Sequence, residues 1–182
     1  MLLNINKMVN KLNLGSGGDY REGFVNLDIN KNERAEVYAD MNKKLPFPDS
    51  HFDFIYIDNA LEHVDDVIFT INEMHRICKP HGIIVVYVPH FSSINNLKIL
   101  THKFSFGIDS FGIFTKNAVS KSFPCLFEVT REKLIYSHRN SRFGFPPFIN
   151  WFFNFNKYWQ VFCERYFLFG FDEIYYRLKV IK

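Results

Sequence analysis

No stretch of 18 uninterrupted apolar residues occurs in the 182-residue chain, so the sequence predicts no transmembrane helix. The opening MLLNINKMVNKLNLG has no apolar core of signal-peptide length, which predicts a cytoplasmic protein rather than an exported one. Cysteine is scarce. Cys78, Cys125 and Cys163 are odd in number and far apart, a usage that fits reduced thiols and neither a disulfide framework nor a zinc site. Internal repeats and low-complexity blocks are missing, and so is an Asn-Pro-Pro-Tyr-like base-flipping motif. A pI near 8.7 with both charge signs interspersed is too mild to argue for nucleic acid.

What is abundant is phenylalanine, at 22 residues. Six of them fall in residues 1–100 and 16 in residues 101–182. Charge divides in the same way. The first hundred residues carry 10 Lys and Arg against 13 Asp and Glu, and the remainder carries 12 against 6. An acidic, ordinary front half thus precedes a basic, ring-laden back half. A hydrophobic share of 47% and a charged share of 23% place the whole among globular chains. The length suits a single domain, 1–182.

Lys11 to Leu14 reads as a strand that stops at Gly15-Ser16-Gly17-Gly18. Phe24 to Ile29 and Ala35 to Ala39 read as two further strands, with Asp28 and Asp40 at their ends. Phe52 to Ile57 is nearly continuously apolar, as a strand buried on both faces in a parallel sheet should be. From Asp65 to Cys78, apolar residues recur at spacings of three and four and predict a helix, stopped by Lys79-Pro80-His81-Gly82. Ile83 to Val88 is the most hydrophobic strand. Residues 92–122 read as loops with a helix or two, and 126–136 and 173–181 as closing strands able to pair antiparallel at one sheet edge. Strands alternating with turns and helix predict a doubly wound α/β sheet.

In such a sheet, ligands lie beyond the carboxyl ends of the strands, where the glycine turn is. Glycine lets a ligand approach the backbone and tolerates positive φ. A Gly-x-Gly-Gly turn by itself fits a plain strand-ending turn as well. Asp28 and Asp40, each at the end of the following strand, add carboxylates suited to a ribose and to an adenine edge. A dinucleotide site would need Gly-x-Gly-x-x-Gly opening a full helix beneath a pyrophosphate. Only nine residues separate Gly18 from Asp28, and a strand must fit among them. That argues against a nicotinamide-dependent oxidoreductase and for a nucleoside ligand without phosphate, such as S-adenosylmethionine.

The blocks LNLGSGG, VNLDI, LPFPDSHFDFIYIDNALEHV and RICKPHGIIVVYVP resemble class I S-adenosylmethionine-dependent methyltransferases of the type-11 group, over about residues 11–91. THKFSFGIDSFG and CERYFLFGFDEIYYRLKVIK resemble a subgroup associated with surface-glycan biosynthesis. The resemblance implies a Rossmann-like sheet of seven strands, mostly parallel with the last two antiparallel. It implies that Gly15, Ser16 and Gly17 line the methionine end of the cofactor. Asp28, followed by Ile29, would hold the ribose; Asp40 and Met41 would flank the adenine; Asp58 and Asn59 would lie beside the sulfonium. Two departures stand out. Asn13 occupies a position where the family often has an acid, and the helix after the glycine turn is reduced to a loop at Asp19–Gly23. The chain would divide into a cofactor half, 11–91, and an acceptor side, 92–182, with a Phe-rich helical insert at 143–171 before the last strand.

Methyl transfer to a hydroxyl needs a proton acceptor, and histidine titrates in the right range. His90 follows the fifth strand, His63 follows the fourth, and His102 lies in the segment after the fifth. His63 equally fits a helix-entry residue, and His102 a substrate contact. Glu62, His63 and a later histidine are reasonable ligands for a divalent cation, although no further ligands are evident and the sequence predicts no resident metal. Lys103, Arg131, Arg139 and Arg142 are candidates for an anionic acceptor. The Phe-rich insert fits a lid over the acceptor, and also a membrane contact or a dimer interface. The expected activity is methylation of a small molecule, such as a sugar or sugar nucleotide, by a monomer or homodimer. The alternatives are a methyltransferase-like binding protein without turnover, and a peripheral-membrane enzyme for a lipid-linked acceptor.

Overall fold

The computed structural model describes residues 10–118, 122–124, 126–136, 147–166 and 170–182; Cys125, Arg139, Arg142 and the start of the Phe-rich insert at Phe143 lie outside them. One sheet of seven strands organises this chain in the order β3-β2-β1-β4-β5-β7-β6. β1 (Lys11–Leu14), β2 (Val25–Asp28), β3 (Val37–Tyr38), β4 (Phe52–Asp58) and β5 (Cys78–Pro89) are parallel. β7 (Glu173–Val180) inserts between β5 and β6 (Phe127–Ile135) and is antiparallel to both. The anticipated sheet is therefore present, with its last two strands antiparallel to one another.

Side chains alternate across a strand, and two adjacent registered rows show what each face of the sheet does. Leu27, Leu14, Ile57, Val86 and Tyr176 lie side by side on five strands, and every one is at 0% exposure. The next row, Asn26, Asn13, Tyr56, Val85 and Arg177, points the other way and is mixed, with two amides at one end and an exposed arginine at the other. The first face is the core. Helix α1 (Val67–Ile77) packs on it, with His75 edge-on to Phe127 at 5.7 Å between ring centroids. The segment after β5 packs there too, through Phe111 on Tyr176 at 4.8 Å.

On the second face, a loop stands where a helix would normally cover β1 and β2. Asn13 straps it down: its Nδ2 donates to the Asp19 carbonyl at 2.7 Å and to Asn26 Oδ1 at 2.9 Å. The same Asn26 oxygen accepts from the Arg21 backbone N–H at 2.9 Å, and the Arg21 guanidinium lies 3.6 Å over the Tyr56 ring. The reduced first helix predicted by the short spacing is thus a loop held by amide side chains.

Two boundaries differ from the sequence expectation. Lys79–Gly82 is not a stop between helix and strand but an irregularity inside β5, which begins at once after α1. His81 takes φ 62° there, and a Cβ on Gly82 would lie 2.6 Å from Cys78 Sγ, so glycine is required by close approach. α1 starts at Val67 because Asp66 caps it, accepting from the Phe69 N–H at 2.9 Å. Among the described residues between β5 and β6 lie the short helix α2 (Ile94–Lys98) and one 3-10 turn. In the insert, α3 (Pro147–Phe153) and α4 (Lys157–Tyr166) dock on the edge strand β6. Asn154 pairs with that edge as a strand would, accepting from the Leu134 N–H at 2.9 Å and donating to its carbonyl at 2.7 Å.

Asn13→Asp tests the strap. It replaces two N–H donors with a carboxylate facing two oxygen acceptors, so urea unfolding should show a loss of about 2–3 kcal/mol. An unchanged midpoint would mean that the amide does not hold the loop.

Candidate functional site

A cavity of about 390 Å³ opens at the carboxyl ends of the parallel strands, beside the β1–β4 boundary where the strand order reverses. The glycine turn forms its floor. Gly15 takes φ 70°, and a Cβ there would lie 2.6 Å from Ala60 Cβ, so no larger residue fits without displacing Ala60. The backbone N–H groups of Gly15 and Ser16 both donate to the Leu27 carbonyl, at 2.8 and 2.9 Å. Gly17, at φ 45°, donates to Asp28 Oδ2 at 2.7 Å, while Asp28 Oδ1 accepts from the Asn30 N–H at 2.8 Å. Both carboxylate oxygens are oriented by backbone donors, and each keeps acceptor capacity for a ligand hydroxyl. Asp40 Oδ1 accepts from the Asn42 N–H at 2.9 Å, and the Met41 carbonyl is tied to α1 by Thr70 Oγ1 at 3.3 Å.

Gly15, Gly17, Asp28, Ile29, Asp40, Met41 and Asn59 all line this cavity, where the sequence placed them. Ser16 and Asp58 do not. Ser16 is buried behind the turn, and Asp58 accepts from the Tyr56 hydroxyl at 2.6 Å and from Asn59 Nδ2 at 3.0 Å. Asp58 thus orients Asn59, which at φ 48° also donates through Nδ2 to Glu173 Oε1 at 2.9 Å.

A second cavity, of about 220 Å³, adjoins the first at Asn59 and His63. Its walls include Glu62, His102, Asn95, Asp172 and Glu173. Glu62 sits in a 3-10 turn (Leu61–His63) at 0% exposure, and neither of its carboxylate oxygens has a hydrogen-bond partner. Burial pushes its carboxyl up to about 7, and the nearby charges of Asp58 and Glu173 act in the same direction. His102 Nε2 lies 3.8 Å from Glu62 Oε1, and the rings of His102 and His63 meet edge to face at 4.7 Å. Burial, and then His63, lower the His102 imidazole below its ordinary value, which favours the neutral ring at pH 7.

The structure brings His63 and His102 together and leaves His90 elsewhere. His90 is buried and lines neither cavity. Its Nδ1 accepts from the Ser92 N–H at 3.1 Å, so the proton is on Nε2, which donates to Glu164 Oε1 at 3.0 Å. With Phe91 and Phe171 against the ring, it joins α4 to the end of β5. Its place at a strand end suggested chemistry; its packing fills both ring nitrogens with structural bonds. The lid expectation needs the same correction for the described part of the insert. Residues 147–166 line neither cavity, and Trp151, Phe155 and Tyr158 face solvent. Lys103 pairs with Asp65, and Arg131 lies exposed on β6; neither reaches a cavity.

Asp172 and Glu173 are the site residues that sequence reasoning missed. Their signal was two adjacent acids at the start of a strand. Because β7 runs antiparallel, its amino end lies with the carboxyl ends of the parallel strands.

A sheet of this order, with a glycine turn and two strand-end carboxylates at its switch point, has the class I S-adenosylmethionine-dependent methyltransferase fold. Residues 12–86 match the model of a family described as a methyltransferase domain. A demethylmenaquinone methyltransferase of Listeria welshimeri is 26% identical over 146 residues, which is 74% of this chain and 61% of that protein. The chain spans between 18 and 61% of the length of the curated relatives of that kind that it matches. A SAM-dependent methyltransferase from Archaeoglobus fulgidus superposes with a TM-score of 0.62 at 16% identity, covering 95% of this chain and 86% of the other. The [4+2]-cyclase SpnF superposes at 0.58 and 14% identity, over 95% of this chain and 75% of its own. The fold therefore accommodates more than one reaction. The cofactor that the family match and the neighbours imply is S-adenosylmethionine.

The state of Glu62 is open to a thermal test on protein treated with a chelator. Its folded carboxyl holds a proton up to about pH 7, whereas the unfolded one releases it near 4.5, so ionisation costs the native state stability as pH rises between these values. Glu62→Gln avoids that cost. Its advantage over wild type should be smallest below pH 4.5, grow through this window, and level off above 7 at up to about 3 kcal/mol. A stability difference that does not vary with pH would contradict the raised value.

Proposed function

We propose that the chain is an S-adenosylmethionine-dependent methyltransferase acting on a hydroxyl of a small, neutral, polyhydroxylated acceptor such as a sugar. The observation that carries this reading is the meeting of the two cavities at Asn59 and His63. One has the bare glycine backbone and carboxylates that suit a nucleoside; the other holds imidazoles and acids that suit a hydroxyl.

When bound, S-adenosylmethionine supplies an electrophilic methyl group on a sulfonium. Asp28 accepts from the ribose hydroxyls, Asp40 and Met41 flank the adenine, and the bare backbone at Gly15 and Gly17 lets the ligand lie close. The larger cavity fits it on this structure's own terms, with two positive-φ glycines and a fixed carboxylate at its floor. Asn59, held by Asp58 and Glu173, stands at the junction and orients what meets there. His63 and His102 are the candidates to take the hydroxyl proton, and the neutral ring of His102 has the free lone pair that this needs. Bringing acceptor and methyl donor into line is the larger part of the task, and two adjoining cavities accomplish it by position. Among the described residues, no lysine or arginine lines the smaller cavity, and three acids do. This favours a neutral sugar over a phosphate at that point, so any nucleotide portion of a sugar nucleotide would lie outside it.

Calorimetry with S-adenosylhomocysteine, the demethylated product, tests the reading. Wild type should bind, and Asp28→Ala should lose about tenfold or more in affinity, as the removal of a charge-assisted partner predicts. Absence of binding by wild type would sink the methyltransferase assignment. Binding with no turnover over a panel of hydroxylated acceptors would favour a binding protein.

The outward rings of α3 and α4 favour a second reading, in which the acceptor is lipid-linked and the chain docks on a membrane surface. Trp151, Phe155, Tyr158 and Tyr166 are exposed there beside Arg165. No helix among the described residues is long and apolar enough to cross a membrane. Sedimentation with anionic phospholipid vesicles should carry wild type down and Trp151→Ser/Tyr158→Ser several-fold less. Wild type remaining in the supernatant would remove this reading.

A further inference from the structure

We propose that Glu62, His63 and His102 form a binding site for one divalent transition-metal ion in the wall of the smaller cavity. Each residue presents one ligand atom, and these atoms lie within 4.8 Å of one another. The independent sign of a ligand is Glu62. A carboxylate removed from water is expected to find hydrogen-bond donors or a cation. This one is at 0% exposure, and neither oxygen has a hydrogen-bond partner. Among the described residues, no lysine or arginine lines the cavity to neutralise it.

The histidines are prepared for the same role. His63 Nδ1 lies 3.3 Å from the Thr101 carbonyl, which can only accept, so the lone pair is left on Nε2. His102 Nδ1 lies 3.3 Å from Asn96 Oδ1, and the Asn96 amide is oriented by its Nδ2 donating to Ser105 Oγ at 2.9 Å. That leaves the lone pair of His102 on Nε2, the atom 3.8 Å from Glu62 Oε1. Donation of the second ring N–H to an oxygen acceptor is the usual way in which a metal-binding imidazole is held.

Ligand atoms around a tetrahedral ion stand about 3.4 Å apart, so the pair of His102 Nε2 and Glu62 Oε1, at 3.8 Å, is already near that spacing, and no pair would need to close by more than about 1.4 Å on loading. Two imidazoles and one carboxylate suit Zn²⁺, Co²⁺, Fe²⁺ or Ni²⁺ better than Mg²⁺ or Ca²⁺. Three protein ligands leave at least one coordination position open to the cavity. That position would take the acceptor's hydroxyl oxygen, and the ion would lower the hydroxyl's pKa in place of an imidazole base, since both imidazole lone pairs are then on the metal; this role rests on the methyltransferase reading, although the ion site itself does not.

Co²⁺ is the probe, titrated into chelator-stripped protein that carries no histidine tag. Wild type should take up one equivalent, with visible absorption from bound Co²⁺ that Zn²⁺ abolishes. Glu62→Gln, which preserves shape, and His102→Ala should each weaken uptake at least tenfold. His81→Ala, on the exposed irregularity of β5, should leave it unchanged. Zn²⁺ should raise the melting temperature of wild type and not that of Glu62→Gln. S-adenosylhomocysteine affinity, measured on the same samples, separates the two readings. Retained nucleoside binding without stoichiometric Co²⁺ uptake overturns the metal site alone, as does uptake undiminished in Glu62→Gln. Co²⁺ uptake without nucleoside binding sustains the site and removes the methyltransferase role.

Discussion

The return of the chain from β1 into β2 constrains everything built above it. The Leu27 carbonyl accepts two successive N–H groups of the glycine turn, and Asp28 accepts a third from Gly17. Strand, turn and carboxylate are thereby one hydrogen-bonded unit, closed without a helix. Its economy of length leaves one face of the sheet without helical cover at that point. Asn13, Asn26 and Arg21 compensate with a strap of amide bonds and one cation over a ring. The unit also needs glycine at position 15, where a Cβ would meet Ala60 at 2.6 Å and Met41 at 3.4 Å.

The second constraint is the direction of β7. An antiparallel strand placed between β5 and β6 delivers its first residues to the end of the sheet where the parallel strands finish. Glu173 arrives beside Asn59 from 114 positions away in sequence and ties β4 to β7. The acids thus gathered around Glu62 make the smaller cavity electrostatically unlike the larger one. The larger cavity presents bare glycine backbone and two carboxylates; the smaller gathers three acids beside two imidazoles. Adjacent compartments of different chemistry are what a two-substrate transfer requires.

Much of the first compartment was legible in the order of residues. Glycines that need positive φ, acids at strand ends and apolar strand runs are local signals, and local signals survive in sequence. Seven of the nine residues expected at a cofactor line this cavity, while Ser16 is buried and Asp58 is turned to Tyr56 and Asn59. The acceptor side was less legible. His90 and His102 look alike as letters; burial between Phe91 and Phe171 and a bond to Glu164 make one a structural joint, whereas the other opens onto a cavity. The Phe-rich insert has the composition of a roof, yet α3 and α4 dock on β6 because Asn150 and Asn154 satisfy that strand's free edge.

The sequence by itself determined the alternating α/β architecture, the helix-free glycine turn and the nucleoside-type carboxylates, since each depends on neighbours within a few positions. Only the tertiary structure decided which histidines share a cavity, that Glu62 is buried without a hydrogen-bond partner, and that Asp172 and Glu173 belong to the site. Those facts depend on contacts across 39 to 114 positions, on strand direction and on desolvation. None of these is a property of a residue or its neighbours; all are set by what the folded chain places around it.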